Sequence, residues 1–335
     1  MTEPEHVSLL IVGGGPAGYT AALYAARSGL NPVCLEGFDS GGQLSRSYLV
    51  ENFPGVPDGT SGADLASRIR EQAASFGARI LMDDVERVDL AQRPFTLTTV
   101  GGQTFLAEAV IIATGSRPRS LGLDGEEELI GKGLAYCALC DGAFFAGMDV
   151  VVVGGGNAAL GETLAMARVA GRVTLVHRKN EFRADKIVEQ AVRALPGVDV
   201  LTPYIVEDFV TTDDGSLVGV KLRNLDTAEL IYRETAGLFV AIGHEPATAL
   251  FAPFVRIEND HILTGATTTA TTVDGVFAAG DVADSRYRQA VTAAASGCMA
   301  AIDAEHWLVS KEFTGPPSLG DSTQLARVLD ETARN

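Results

Sequence analysis

Two stretches of the chain share one pattern of apolar and small residues. The first reads VSLLIVGGGPAGYTAALYAARSGLNPVCLEG, and the second reads MDVVVVGGGNAALGETLAMARVAGRVTLVHR. In each, an apolar run typical of a buried strand precedes a glycine turn, an alanine-rich helix and a second apolar strand. The repeat predicts two nucleotide-binding units, each built on a parallel sheet with packed helices.

Shorter strand-like segments follow each unit. ILMDDVERVDL, RPFTLTTV and GGQTFLAEA predict one β-meander, and the segments from VDVLTPYIVEDF to TAELIYRETAGLFVAIG predict another. VIIATG at 110–115 and GVFAAGDV at 275–282 return the chain to the first unit. We therefore expect an α/β fold with two Rossmann-like three-layer nucleotide-binding domains, each carrying a small β-meander.

This return of the chain implies that one domain is inserted into the other. Residues 1–117 and 244–312 are expected to form the first domain, and residues 118–243 the inserted one. The proline-containing segments GSRPRS and AIGHEPAT would join them. Residues 313–335 form a C-terminal tail, in which Leu325, Val328 and Leu329 have helical spacing. The pattern leaves open whether the tail docks as a helix or is disordered.

The glycine turns predict dinucleotide binding. The first fits G-x-G-x-x-G with Gly13, Gly15 and Gly18; the second fits G-x-G-x-x-A with Gly154, Gly156 and Ala159. Such glycines permit a tight turn and close approach of the backbone to a pyrophosphate, which then lies on the helix N-terminus. Because each turn stands between a strand and a helix, the motifs favour binding over a purely structural turn.

The ends of the two second strands predict different nucleotides. Glu36 ends the first, where a carboxylate accepts hydrogen bonds from a ribose hydroxyl. In the second unit HRKNEFR supplies a histidine and a basic cluster instead: His177, Arg178, Lys179 and Arg183. Since arginines bind a 2′-phosphate that a carboxylate would repel, the second site is predicted to bind NADPH.

The C-terminal region suggests the ligand of the first site. The strand that includes Val276 delivers Gly280 and Asp281, and a helix is expected from about Arg288. Asp281 is placed to bond a polyhydroxyl chain, and the helix N-terminus favours negative charge on a reduced ring. FAD is therefore the predicted ligand of the first unit.

Composition restricts the class of protein. The chain has 335 residues, 46% of them hydrophobic, and a formal net charge of −17, which argues against nucleic-acid or anionic-membrane binding. No apolar run approaches the length of a membrane span. The acidic N-terminus does not resemble a signal peptide, and four cysteines are too few for a disulfide scaffold. We expect a cytoplasmic protein.

Two cysteines stand three positions apart in AYCALCDGAFF. A zinc site would need further ligands, whereas Cys34 and Cys298 stand alone and read as small buried hydrophobes. A structural disulfide over so short a loop would add little stability. A redox dithiol is favoured: Cys137 and Cys140 lie at a predicted helix start, which lowers a thiol pKa, and Asp141 could exchange a proton with the departing thiolate.

Nearly the whole chain, residues 6–310, resembles the low-molecular-weight, bacterial-type thioredoxin reductases. The shared motifs occur in the same order: GGGPAGYTAALYAAR, GGQL, VENFPG, ATG, C-x-x-C-D-G, GGGN-x-A, HR-x-x-x-FRA, GLFVAIGH-P-T and GVFAAGDV-x-D-x-x-YRQA. The resemblance implies an FAD-containing, NADPH-dependent reductase of a thioredoxin-type protein disulfide. It further implies a homodimer whose NADPH domain reorients between half-reactions.

The resemblance also implies site residues. Cys140 would face the flavin, and Cys137 would exchange with substrate. The expected FAD contacts are Gly13, Gly15, Pro16, Ala17, Glu36, Gly42, Gln43, Asn52, Val85, Thr114, Gly115, Gly280, Asp281, Arg288, Gln289 and Ala290. The expected NADPH contacts are Gly154, Gly156, Asn157, Ala158, His177, Arg178, Lys179, Arg183, Ile242 and Gly243.

The sequence departs from the family pattern at a few positions, and other functions compete. Lys179 replaces an arginine, which would weaken selectivity for the 2′-phosphate, and Gly161 and Glu162 replace paired acids. The same scaffold could act as a dithiol oxidase on a small molecule, reduce another disulfide or serve a ferredoxin. The intact basic cluster argues against the oxidase and the ferredoxin-linked enzyme. A nucleotide sensor would not need the cysteine pair.

Overall fold

The computed structural model describes residues 3–56 and 60–312. These residues divide into two compact units: a first of residues 3–41, 68–115 and 248–312, and a second of residues 42–56, 60–67 and 116–247. Two of the four changes of unit, at 115/116 and 247/248, fall inside the segments GSRPRS and AIGHEPAT. The segment around residues 42–67, assigned to the first domain from sequence, groups with the second unit. A contact within the second unit is found at Tyr48, because a Cβ on Gly131 would lie 3.5 Å from the Tyr48 Cβ.

The strands are β1 (Glu5–Val12), β2 (Val33–Leu35), β3 (Arg79–Leu81), β4 (Val85–Asp89), β5 (Phe95–Thr99), β6 (Thr104–Ile112), β7 (Ser116–Pro118), β8 (Leu134–Ala135), β9 (Asp149–Val153), β10 (Arg172–Val176), β11 (Val198–Leu201), β12 (Tyr204–Thr211), β13 (Leu217–Asn224), β14 (Leu230–Glu234), β15 (Gly237–Val240), β16 (His244–Pro246), β17 (Ile257–Glu258), β18 (His261–Ile262) and β19 (Val276–Ala278).

The α-helices are α1 (Pro16–Arg27), α2 (Gly62–Ser75), α3 (Ala138–Asp141), α4 (Asn157–Met166), α5 (Lys186–Arg193) and α6 (Ala290–Glu312). Short 3-10 helices cover Gly42–Arg46, Glu127–Leu129, Gly142–Phe145 and Gly280–Val282. The described residues include no helix that is both long and apolar enough to span a membrane.

The first unit is built on a sheet of order β3-β2-β1-β6-β5-β4, with β19 also paired to β6. Strands β3, β2, β1, β6 and β19 run parallel, and β4, β5 and the first half of β6 form an antiparallel meander. Alternation along β1 builds a core on each face. Leu9 and Ile11 pack with α1 and α6, while Leu10 and Val12 pack with the meander.

The second unit repeats this plan around a parallel sheet of order β11-β10-β9-β15-β8. Val150 and Val152 of β9 pack against α4 and the 3-10 residue Phe145. Val151 and Val153 face the antiparallel meander β12-β13-β14 through Val220 and Leu222. Both units are therefore three-layered, with helices, a parallel sheet and a meander, which confirms the predicted fold class.

One sequence-based prediction about the core is wrong. Cys34 is buried in β2, as expected, and burial raises the pKa of its thiol to about 12. Cys298 is only half-buried, because it lies on the face of α6 that carries the exposed side chains of Met299 and Ile302. The tail of residues 313–335 lies outside the described residues.

Candidate functional site

The first glycine turn joins β1 to α1. Gly13 has a φ of +119°, and a Cβ there would lie 2.2 Å from the carbonyl oxygen of Ala113, so only glycine lets the turn approach the end of β6. Gly15 caps α1 with no side-chain hydrogen bond, and nothing lies within 4 Å of where its Cβ would point. The helix N-terminus therefore faces open space, which fits a dinucleotide pyrophosphate.

Glu36 lies beside this turn and is held by a cluster of donors. Its Oε2 accepts hydrogen bonds from Tyr19 (2.6 Å), Ser40 (3.2 Å) and the Nε of Arg70 (2.7 Å), and its Oε1 accepts one from Arg70 Nη2 (2.9 Å). Burial alone would raise the pKa of Glu36, but the hydrogen bonds from Arg70 and Tyr19 outweigh it, so the pKa is lowered. Glu36 is thus a buried, charged and fully engaged carboxylate.

Most of the predicted FAD residues of the first unit meet at one edge of the sheet. Each group follows the carboxyl end of one parallel strand. After β1 come Gly13 to Ala17, after β2 comes Glu36, after β6 come Thr114 and Gly115, and after β19 come Gly280 and Asp281. Gly280 stands against α1, because a Cβ on it would lie 2.9 Å from that of Ala17. In open α/β sheets this edge is where ligands bind.

The remaining predicted FAD residues lie elsewhere in the fold. Val85 begins β4, just after the segment whose Leu81 and Asp83 carbonyls accept hydrogen bonds from Glu36 N and Gly37 N. Arg288, Gln289 and Ala290 lead into α6. Gly42, Gln43 and Asn52 belong to the segment that groups with the second unit, so their contact with FAD stays a prediction.

The loop before α6 contains Asp284, the second aspartate of the motif GVFAAGDV-x-D-x-x-YRQA, which lies within the span Asp281–Ala290 that the resemblance places against FAD. Asp284 accepts hydrogen bonds from the backbone N–H groups of Arg286 (2.8 Å), Tyr287 (2.9 Å) and Arg288 (3.0 Å). Burial would raise the pKa of Asp284, but these bonds lower it. Arg288 adopts a φ of +48° at the end of this turn, so the Asp284 carboxylate fixes the conformation in which Arg288 is presented. An Asp followed by backbone donors is a recognisable turn signal.

The second glycine turn, between β9 and α4, has the same construction. Gly156 caps α4 without a side-chain bond and faces open space, as Gly15 does. Ala159 takes the place of the third glycine and is fully buried. Ile242 and Gly243 follow β15, whose carboxyl end adjoins that of β9. This turn therefore also fits a pyrophosphate.

The loop after β10 is tied firmly to the second turn. Arg183 N bonds Gly155 O (2.8 Å), and the side-chain amide of Asn157 exchanges two hydrogen bonds with Asp185, at 2.9 and 3.1 Å. His177 fills the space over Gly155 and stacks on Phe182 at 5.1 Å between ring centroids. The loop is therefore held in place before any ligand arrives.

The charged part of this loop is left open. Arg178, Lys179 and Arg183 are exposed, and within the described residues none of their side chains makes an ion pair or a hydrogen bond. His177 differs, because it is 6% exposed and burial lowers its pKa, so its ring is neutral at pH 7. Three unpaired cations in a chain with a net charge of −17 suit a phosphate ligand.

The two cysteines of the C-x-x-C motif form a disulfide at the start of a short helix. Cys137 is the N-cap of α3, and its sulfur accepts a hydrogen bond from Cys140 N at 3.1 Å. Backbone bonds from Cys140 N and Asp141 N to Cys137 O close the turn. The backbone N–H that points at Cys137 Sγ would stabilise a thiolate there, so the geometry suits reversible reduction.

Asp141 ends α3 directly after the disulfide. Burial raises the pKa of its carboxyl group to about 6. Near pH 6 this group is therefore poised between its protonated and charged forms, as a proton donor and acceptor should be.

Glu126 is a residue that sequence reasoning missed. It is buried at the start of the 3-10 turn before β8, and accepts hydrogen bonds from the N–H groups of Leu121 (2.8 Å) and Gly122 (2.8 Å) and from the hydroxyl of Tyr136 (3.1 Å). Tyr136 directly precedes Cys137. Glu126 therefore anchors the strand that delivers the disulfide.

Two dinucleotide turns and a reducible disulfide in one chain define a nucleotide-dependent disulfide oxidoreductase. Residues 7–297 match the family model described as pyridine nucleotide-disulphide oxidoreductase, and the chain belongs to this family. The family uses FAD and NADPH, which confirms the predicted cofactors.

Relatives and solved structures agree with this assignment. A bifunctional thioredoxin reductase/thioredoxin of Mycobacterium leprae (strain TN) is 47% identical over 333 residues, covering 96% of this chain and 72% of the relative. A thioredoxin reductase of Rickettsia prowazekii (strain Madrid E) is 46% identical over 302 residues, covering 90% and 97%. The structure of thioredoxin reductase from Giardia duodenalis matches with a TM-score of 0.86 and 37% identity, covering 91% and 99%. The resemblance predicted from sequence is confirmed.

Proposed function

We propose that this protein is a thioredoxin reductase, in which reducing equivalents from NADPH reach the Cys137–Cys140 disulfide by way of FAD and pass to a thioredoxin-type protein disulfide. The observation that carries the proposal is the disulfide at the N-cap of α3, followed by a carboxyl group whose pKa is raised to about 6. Relatives named thioredoxin reductase over 90% or more of this chain support the substrate class.

The residues around the two turns have separate tasks. The open helix N-terminus at Gly15 holds the FAD pyrophosphate, and the matching one at Gly156 holds that of NADPH. Arg178, Lys179 and Arg183 bind the 2′-phosphate, and His177 supports their loop as a neutral ring.

The cysteines carry the exchange with the partner. In the reduced protein the Cys137 thiolate attacks one sulfur of the partner disulfide, breaking that bond and forming a mixed disulfide. Cys140 then attacks Cys137 Sγ, which restores the Cys137–Cys140 disulfide and releases the second partner sulfur. The partner gains two electrons and two protons: Asp141 takes up and passes on the proton that Cys140 loses, and solvent supplies the second, which the Cys137 thiolate has already released.

The surface next to the disulfide suits a protein substrate. Leu139, between the two cysteines, is 74% exposed, and Phe144 in the following turn is 37% exposed. Exposed apolar side chains beside a reactive sulfur favour contact with an apolar protein surface over a small polar disulfide.

The direct test follows NADPH oxidation and thiol release when purified protein is given oxidised thioredoxins, glutathione disulfide or a small dithiol with oxygen. We expect rapid, NADPH-dependent reduction of thioredoxin and little activity on the other substrates. Oxygen-dependent closure of the dithiol, with thioredoxin left oxidised, would refute the proposal.

We further propose a cytoplasmic homodimer. Along α6, exposed Val291, Ile302 and Val309 lie on one stripe with half-buried Cys298, at spacings of seven and four residues. A second copy would cover this stripe. Sedimentation of the wild type and of Ile302→Asp tests the assembly, since the variant should shift toward monomer and a monomeric wild type would contradict it.

A further inference from the structure

The carboxylate predicted to meet the FAD ribose cannot be reached from solution in this structure. The side chain of Glu36 is 0% exposed, whereas that of its partner Arg70, which reaches it from α2, is 34% exposed. Glu36 also receives four hydrogen bonds, three of them on Oε2. A carboxylate offers about four acceptor positions, so little capacity remains for a sugar hydroxyl.

Arg70, in contrast, has donors to spare. Its two bonds to Glu36 use Nε and Nη2, which leaves the Nη1 edge of the guanidinium and its flat face for another partner. The pair lies beside the first glycine turn, because a Cβ on Gly14 would touch Glu36 Cβ at 2.5 Å. Among the groups that bond Glu36, Arg70 and Ser40 reach the surface, and of these two only the arginine is a charged donor.

We propose that Arg70 is a cofactor-binding residue that contacts the adenosine half of FAD, and that Glu36 is the positioning residue that holds it. This inference rests on the proposed placement of FAD at the first glycine turn. A guanidinium can donate to ribose oxygens and stack on adenine, and one already fixed by a bidentate carboxylate loses little freedom on binding. Because the pair is neutral, it adds no net charge to a site that must also accept a pyrophosphate.

The test measures affinity rather than turnover. Apoproteins of the wild type, Arg70→Met, Glu36→Gln/Arg70→Met and Arg68→Met are titrated with FAD and with ADP. Loss of a charge-assisted contact weakens binding by about 10- to 100-fold, and we expect this for both Arg70 variants and with both ligands. Arg68 is an exposed arginine two residues earlier on the same helix, and its variant should bind within about twofold of the wild type.

The double variant separates contact from fold. Arg70→Met alone leaves a buried unpaired carboxylate and can destabilise the protein, whereas the double variant removes that charge as well. Melting of each apoprotein reports any such loss. If Glu36 itself binds the ribose, Arg70→Met should bind FAD as tightly as the wild type, and that result overturns the inference. Weakened FAD binding with unchanged ADP binding overturns it too.

A further variant distinguishes this inference from the placement of FAD. Gly15→Asp sets a negative charge where the pyrophosphate would lie, in a position with room for the side chain. If Gly15→Asp keeps its FAD, the placement fails and the inference with it. If Gly15→Asp loses FAD while Arg70→Met retains it, the placement stands and only the role of Arg70 is wrong.

Discussion

The two nucleotide units place the same turn beside opposite electrostatic arrangements. In the first, the strand end carries Glu36, buried and neutralised by Arg70. In the second, it carries Arg178, Lys179 and Arg183, exposed and unpaired among the described residues. The same strand–turn–helix–strand arrangement thus carries a neutralised carboxylate in the first unit and, within the described residues, an unpaired basic cluster in the second. The glycine turn supplies pyrophosphate binding, and the residues after the second strand select the nucleotide.

Two carboxyl groups, buried Glu36 and half-buried Asp141, show the same contrast. Burial would raise the pKa of each, yet the pKa of Glu36 is lowered by Arg70 and Tyr19, while that of Asp141, without such donors, rises to about 6. A buried carboxylate that accepts hydrogen bonds stays charged and contributes to structure or to ligand binding. An unpartnered one is able to exchange a proton near neutral pH.

Substitution of the cysteines should have the largest effect on turnover, because in the proposed function all electrons from NADPH and FAD pass through this one disulfide. Cys137→Ser and Cys140→Ser should each abolish thioredoxin turnover while leaving affinity for FAD and NADPH unchanged. Cys140→Ser should also form a covalent complex with thioredoxin, since no second thiol resolves the mixed disulfide, and Cys137→Ser should not. A non-reducing gel decides this. A complex formed only by Cys137→Ser would reverse the two roles.

Matched substitutions in the two turns test whether the units bind different ligands. Gly15→Asp should lower FAD affinity, and Gly156→Asp NADPH affinity, by at least about 100-fold, since each sets a charge against a pyrophosphate. Each position has room for the side chain. The measurements are flavin content and the KM for NADPH. If both variants lose the same ligand, the two-site assignment is wrong.

Removing the carboxyl group of Asp141, which has no charged partner among the described residues, should slow thiol–disulfide exchange and raise the stability of the fold. Asp141→Asn should lower turnover by about 100-fold and remove an inflection near pH 6. With a raised pKa the native state binds more protons than the unfolded chain between about pH 4 and 6, so its stability falls as the pH rises through this range. Asp141→Asn should therefore melt higher than wild type at pH 7.5, with the difference disappearing below pH 4. Equal melting temperatures at pH 7.5 would contradict the assigned burial cost.

The basic cluster should act on one nucleotide only. Arg183→Ala should raise the KM for NADPH by about 10- to 100-fold, because a charge-assisted bond is lost, and leave that for NADH unchanged. Lys186→Ala, a nearby lysine already paired with Glu189, is the matched control. An equal effect on NADH would show that Arg183 supports the loop rather than the phosphate.

Sequence reasoning located what is encoded locally and missed what depends on distant residues. Short stretches of a few dozen consecutive residues determine the glycine turns, both meanders and the cysteine pair, and the structure contains all of them. The Glu36–Arg70 pair joins residues 34 apart through α2, and no periodicity marks Arg70 against Arg68. Likewise, the half-exposure of Cys298 depends on which face of α6 packs against α1, and an alanine-rich helix leaves that choice open.

The smallest effect concerns His177, which sequence reasoning grouped with the basic residues expected to contact NADPH. Its ring is buried against Gly155 and Phe182, and burial lowers its pKa, so it should remain neutral from pH 8 to below 6.5. The unfolded chain takes up this proton more readily, so the stability that His177 contributes is present above pH 6.5 and is lost as the pH falls further.

His177→Phe keeps an aromatic ring over Gly155 and cannot carry charge. If the ring acts by packing, the KM for NADPH should change by no more than about threefold, the size of a modest neutral hydrogen bond. The KM of the variant divided by that of the wild type should then be constant from pH 6 to 8. His177→Ala, which removes the ring, should raise the KM further by loosening the loop that carries Arg183. The opposite result would be a KM ratio that rises as the pH falls, together with a KM for NADPH as high in His177→Phe as in Arg183→Ala. That result would mean that a charged imidazolium binds the phosphate directly.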